Sequence, residues 1–303
     1  MKKIFLLFLF LTGMSYTQQI GDPDFNPPIF NPAYPPGEGS KIYIDEAHND
    51  FHIMDERYKP FADLLARNGY SVKPLKDSIS QKSLEDVDIL VISNALNIRN
   101  TEDWTLPTPP AFTEDEIKHI VDWVKSGGSL FLIADHMPFP GAVKNLAKEF
   151  GFELNNGFAL DSANKTLGDL FTRKDGTLED NFITNGRSEQ EKVDSIYSFT
   201  GEAFQIPEDA EPVLILNNNF ISVMPDTAWN FKDDTPQVSV AGWFQGAVKK
   251  FGNGKIAVWG EAAMFSAQIA GEQKVKVGMN STKARHNYQL LLNIIHWLDN
   301  IIE

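Results

Sequence analysis

The sequence predicts an α/β domain: a parallel sheet covered by helices on both faces, with an inserted region of small strands and loops. Three observations predict it. Continuous apolar runs at 88–93 (DILVIS) and 129–134 (SLFLIA) are what strands buried on both faces require. Stretches of helical period alternate with them, and strand–helix–strand connections close right-handed onto a parallel sheet. The 303 residues are 42% hydrophobic and 22% charged, the composition of a globular chain rather than a disordered or fibrous one.

The elements follow in order. Lys2 and Lys3 precede an apolar run ending near Leu11, then small and polar residues to Thr17. This pattern is that of a secretory signal over 1–18, and it predicts a periplasmic or secreted product. An apolar run of about ten residues is too short to cross a bilayer of about 30 Å as a helix. Six prolines between Ile20 and Ser40 exclude helix and predict an extended arm over 19–40, packed through Phe25, Phe30 and Tyr34.

The domain proper is expected over 41–303. A strand at 41–45 leads to a helix at 57–68 with Phe61, Leu64 and Leu65 on one face, then a strand at 70–74. After DILVIS, Thr113 and Glu116 form a capping box, Ile117, Ile120, Val121 and Val124 an apolar stripe, and Gly127-Gly128 a stop. SLFLIA is followed by a helix at 141–150. The segment 152–236 is rich in Asn, Asp and Gly and is read as an insertion beside the main sheet. A strand at 255–259 (KIAVW) and a helix at 287–302 close the chain.

In open α/β sheets, ligands bind beyond the carboxyl ends of the strands. That rule selects Asp45 to His52, Ser93-Asn94, Asp135 to Gly141, and Gly260 to Ser266. His48 and His52, with Asp45, Glu46 and Asp50, are metal-ligand types. A helix there would place both imidazoles on one face, whereas a loop would not. Asp135-His136 follows a buried strand and precedes a helix, so a helix N-terminus, a carboxylate and a titratable imidazole meet. Glu261 follows a strand and would face the same crevice as base, ligand or partner of a basic group. Glu46, Asn49, Asn94, Arg187 and His286 complete the set as ligand-binding candidates. Trp104, Trp229 and Trp243 are candidates for a sugar platform. His296, among Leu291, Ile294, Ile295 and Leu298, reads as a packed core histidine.

Several chemistries are excluded. A net charge of −14 opposes binding to a nucleic-acid backbone or an anionic membrane surface. Zero cysteines remove disulfides, a thiolate nucleophile and Cys-ligated metal sites. No Gly-x-Ser-x-Gly elbow, phosphate loop or dinucleotide glycine motif occurs.

The alternation, together with IDEAHNDFH at 44–52, SLFLIADHMPFPGA at 129–142 and QGAVKKFGNGKIAVWGEAAMFSAQ at 245–268, resembles a domain of unknown function within the class I glutamine amidotransferase-like superfamily. The resemblance covers about residues 41 to 301 and implies a three-layer, flavodoxin-like sandwich with a mostly parallel sheet. Relatives in that superfamily include ThuA-like proteins linked to sugar utilisation and a domain of some β-galactosidases. The amidotransferases carry a nucleophilic cysteine on the elbow where this chain has Asp135-His136, so glutamine hydrolysis through a thioester is excluded.

The expectation is an exported, hydrolase-like enzyme for a carbohydrate or related small polar substrate. In one version His48, His52 and Asp135 hold a divalent cation, with Glu261 or His136 as base. In another, Asp135 and Glu261 form a metal-free acid/base pair. The rivals are a non-catalytic carbohydrate-binding or accessory module and an assembly protein of the cell envelope.

Overall fold

The computed structural model describes residues 19–303 except 165 and 167; the expected leader over 1–18 lies outside the described residues. The main sheet has nine strands. They are β1 (Lys41–Asp45), β2 (Ser71–Leu75), β3 (Ile89–Ser93), β4 (Ser129–Ile133), β5 (Glu153–Leu154), β6 (Phe204–Gln205), β7 (Glu211–Ile215), β8 (Phe244–Phe251) and β9 (Gly254–Trp259). Four helices matter for the site: α1 (Lys59–Arg67), α2 (Glu114–Lys125), α3 (Phe139–Glu149) and α4 (Asn287–Leu298).

The spatial order is β2-β1-β3-β4-β9-β8-β6-β5, with β7 also paired to β8. Neighbours from β2 to β9 run parallel, and every pairing beyond β9 is antiparallel. The sheet is therefore mixed, not mostly parallel. The insertion explains the difference. Its strands β5, β6 and β7 do not lie beside the sheet but extend it through β8, whose backbone groups would otherwise form an open edge.

Alternation along the strands sets the two cores. In β4, Phe131 and Ile133 point into one cluster with α1 and α4, while Leu130 and Leu132 point into the other with α2 and α3. All residues of β3, β4 and β9 are buried, which is why their sequences carry no polar alternation. Each of their Val, Leu, Ile and Phe side chains contributes about 1.5–3 kcal/mol by leaving water. The capping box on α2 forms as expected, Thr113 Oγ1 accepting from Glu116 N.

The arm is docked. Gln19–Gly21 pairs antiparallel with Ala267–Ala270. Phe25 and Tyr34 pack on the α1–α4 cluster, and the Tyr34 hydroxyl donates to Asp299 Oδ2 at 2.7 Å. Phe30 does not share this role, being 65% exposed. No helix among the described residues is long and apolar enough to cross a membrane.

The chain leaves β1 through α1 to β2 on one side, and β3 then returns on the other side of β1. Connections thus leave in opposite directions at the carboxyl ends of β1 and β3, where open α/β sheets place a ligand crevice; the polar groups gathered there are buried.

Candidate functional site

Asn94, one residue past β3, is the hub of this crevice. Its Oδ1 accepts from Asp135 N at 2.8 Å, which turns Nδ2 toward His52 Nδ1 at 3.2 Å. Its carbonyl accepts from Phe51 N at 3.0 Å. The backbone there has φ +59°, a left-handed conformation that Asn tolerates better than other side chains with a Cβ. One side chain therefore ties the loop after β1 to the loop after β4.

Residues 46–52 form bends rather than a helix, so the spacing of four does not align the imidazoles. His52 turns toward α1: its ring lies 4.6 Å from Tyr58, and burial pushes its pKa down to about 3. His48 turns toward α2. Its Nδ1 lies 2.7 Å from Asp45 Oδ2 and its Nε2 3.1 Å from Glu116 Oε1. Burial opposes a charged ring, but the two carboxylates outweigh it and hold the His48 pKa above its ordinary value. Asp50 packs beside them, accepting from His48 N through Oδ2, and its Oδ1 is buried without a partner. Burial and the nearby Asp45 both push its carboxyl well up. The expected ligand set of His48, His52 and Asp135 is thus not formed. The structure groups His48 with Asp45 and Asp50 instead, one ligand atom of each lying within 4.8 Å of the others.

At the ends of β4 and β9 a second group forms. Asp135 accepts from His136 N at 2.8 Å, and burial pushes its pKa up to about 8 against these hydrogen bonds. Asp135 in turn adds to the burial that raises Glu261 and Glu202. Glu202 comes from the insertion. A Cβ on the preceding Gly201 would sit 2.3 Å from the Gly260 carbonyl, so only glycine lets this turn approach the end of β9. Glu202 Oε2 accepts from Asn155 N, while Oε1 is buried without a partner.

His136 Nδ1 lies 2.7 Å from the Met137 carbonyl and must donate to it, which leaves Nε2 as the ring's free acceptor. The ring stacks on Phe158 at 4.4 Å, with Trp229 at 4.7 Å edge-on and Trp104 at 6.0 Å. Burial pushes its pKa down to about 4. The arrangement offers a neutral imidazole inside aromatic walls, on the residue that follows a carboxyl held protonated near neutral pH. Trp229, 46% exposed, forms the outer wall.

Other expected site residues serve the framework. Glu261 accepts from Ala263 N and Met264 N, both at 2.8 Å, and is fully buried. Glu46 accepts from Met54 N and Asn49 donates to the Leu96 carbonyl, so both shape the loop after β1. His286 is the N-cap residue of α4 and makes no side-chain cap bond. Arg187 lies outside this group. It pairs with Glu191 and donates to the Asn31 carbonyl of the arm, near His296 at the far end of α4. Trp243 packs on the α1–α4 cluster, away from His136. Glu116 was legible only as a cap, and Glu202 carried no signal, a single acid in a polar insertion. Two concavities, of about 380 Å³ beside Asp161 and Asp169 and about 480 Å³ between α2 and α3, lie away from the strand ends. Neither gathers an imidazole with a carboxyl of raised pKa, so the crevice remains the better site.

No family model and no curated protein matches the chain. Solved structures do. The N-terminal domain of mmIFT52 superposes with a TM-score of 0.60 at 16% identity, over 85% of this chain and 97% of that one. A protein described as ThuA-like from Bacteroides uniformis gives 0.51 at 14%, over 88% and 93%. A cytoplasmic protein from Salmonella typhimurium LT2 gives 0.51 at 13%, over 86% and 99%. At these identities the likeness is one of fold alone.

Proposed function

We propose that this chain is an acid–base hydrolase for a carbohydrate or similar small polar substrate, exported by the leader at 1–18. One observation carries the reading: His136, with Nε2 free, sits where Trp104, Trp229 and Phe158 converge, and it directly follows Asp135, whose pKa is pushed up to about 8. Asp135 donates a proton to the leaving oxygen, and His136 Nε2 takes one from the attacking water. The aromatic faces hold the apolar side of a sugar ring. We further propose a flavodoxin-like sandwich in the class I glutamine amidotransferase-like superfamily. The order β2-β1-β3-β4-β9 with two helices on each face favours it. With no cysteine in the chain, the superfamily's thioester chemistry is not part of the proposal.

A second reading, a carbohydrate-binding module without turnover, is favoured by Glu261. Both of its carboxylate oxygens are occupied by backbone amides, so it is not free to serve as Asp135's catalytic partner. Screening glycosides for hydrolysis and binding, with Asp135→Asn and Trp229→Ala beside the wild type, separates the two. Loss of turnover by about 10²–10⁴-fold in Asp135→Asn, with binding kept, establishes the hydrolase. Binding that needs Trp229, with no turnover in any form, establishes the module. Neither binding nor turnover sinks both.

A further inference from the structure

We infer that Asp45, His48 and Asp50 form a binding site for one divalent transition cation, zinc by preference, positioned by Glu116. The inference is independent of the enzymatic reading, since it uses none of Asp135, His136 or Glu261. One ligand atom from each of the three side chains lies within 4.8 Å of the others; ligands at about 2.0–2.1 Å from a tetrahedral ion lie roughly 3.3–3.4 Å apart, so a cation would draw the group together while His48 Nδ1 and Asp45 Oδ2 part from 2.7 Å. All three residues are more than nine-tenths buried.

Two features point to a cation rather than to a merely acidic corner. Asp50 Oδ1 is buried with no donor placed on it, although Oδ2 of the same group accepts from His48 N, and the Asp45 carboxyl lies against the group. A buried carboxylate oxygen left bare costs about 1–3 kcal/mol or more, and a cation removes that cost. The second feature is the support behind His48. Its Nε2 faces Glu116 Oε1 at 3.1 Å, and Glu116 is itself fixed by Thr113 N, Thr113 Oγ1 and Ile79 N. An outer carboxylate that takes the ring's far N–H directs the other nitrogen to a metal and sets its tautomer. Here that nitrogen is Nδ1, which faces Asp45 Oδ2 at 2.7 Å. The cation takes the place of the proton between Nδ1 and Oδ2, which leaves to solvent. One imidazole with two carboxylates suits zinc or manganese better than calcium or magnesium, which prefer oxygen alone.

The competing occupant is a proton held among the same groups. Chelator-treated full chain is titrated calorimetrically with zinc chloride at pH 7.5, beside Asp50→Asn and Glu116→Gln, with manganese and calcium as parallel arms. The expected result is one zinc per chain with proton release and a raised Tm. Asp50→Asn should weaken binding at least tenfold and Glu116→Gln by about 10–100-fold, both with unchanged far-UV circular dichroism. If a variant does not fold, X-ray absorption on the zinc-loaded wild type decides: one imidazole in an otherwise oxygen shell is expected. No uptake at micromolar zinc, uptake indifferent to Asp50→Asn, or a shell without imidazole overturns the site in favour of the proton.

Discussion

Asn94→Ala tests whether one amide holds the crevice together. In the wild type Oδ1 accepts from Asp135 N at 2.8 Å and Nδ2 donates to His52 Nδ1 at 3.2 Å, all four groups belonging to buried residues. Alanine leaves the Asp135 amide and the His52 nitrogen without partners, at about 1–3 kcal/mol each. It also places a less tolerant side chain at φ +59°, adding about 1 kcal/mol. The expected loss is therefore about 3–7 kcal/mol, a large share of the roughly 5–15 kcal/mol that holds an ordinary domain together. Asn94→Gly loses the same hydrogen bonds but accepts the backbone, and should be the milder change by up to about 1 kcal/mol. Urea unfolding followed by fluorescence and circular dichroism, at constant m, reads both losses. A loss under about 1 kcal/mol for Asn94→Ala, or glycine no better than alanine, would show that the loops are held by packing and that the hub is incidental.

Two further outcomes follow from the ionisable groups. Burial raises Asp135 from 3.8 to about 8, so the unfolded chain ionises first and stability falls as pH rises between those values, by up to about 1.4 kcal/mol per unit. Asp135→Asn removes that dependence, so unfolding at pH 6 and pH 9 should show the variant gaining on the wild type at the higher pH; parallel curves would refute the shift. Arg187 lowers the Glu191 pKa even though burial opposes it, so the pair stabilises above the unfolded value near 4.5 and its contribution is lost as pH falls through the folded one. Arg187→Met should cost about 3 kcal/mol at pH 7 by leaving a buried carboxylate unpaired, with the gap narrowing toward pH 3; a gap independent of pH would assign the loss to packing.

The parallel half of the sheet was legible because burial on both faces leaves a local trace. DILVIS and SLFLIA have no polar alternation, and β3 and β4 have no exposed residue. The strand-end rule then put Asp45, Asn94, Asp135 and Glu261 at one end of the sheet without knowledge of their contacts. Less was legible where the signal is long-range. Strand β8 carries Lys249 and Lys250 within its run, and Lys249 is buried only because its Nζ meets the Phe150 carbonyl and Asp209. The short strands β5 and β6 are stabilised by partners far along the chain rather than by their own residues.

The sequence by itself determined which ends of which strands carry titratable groups, because strand and helix periods are properties of neighbouring residues. Only the tertiary structure decided how those groups combine. His48 and His52, four residues apart, face opposite sides of the sheet because the segment bends, and an i, i+4 spacing aligns side chains only in a helix. Glu116, written as a helix cap, becomes a partner of His48 because α2 packs over the end of β1. Arg187 goes to the arm and Glu202 to the crevice through chain crossings that no local pattern encodes. Side-chain type is set locally, whereas contact between residues far apart in sequence is set by which faces must be buried together.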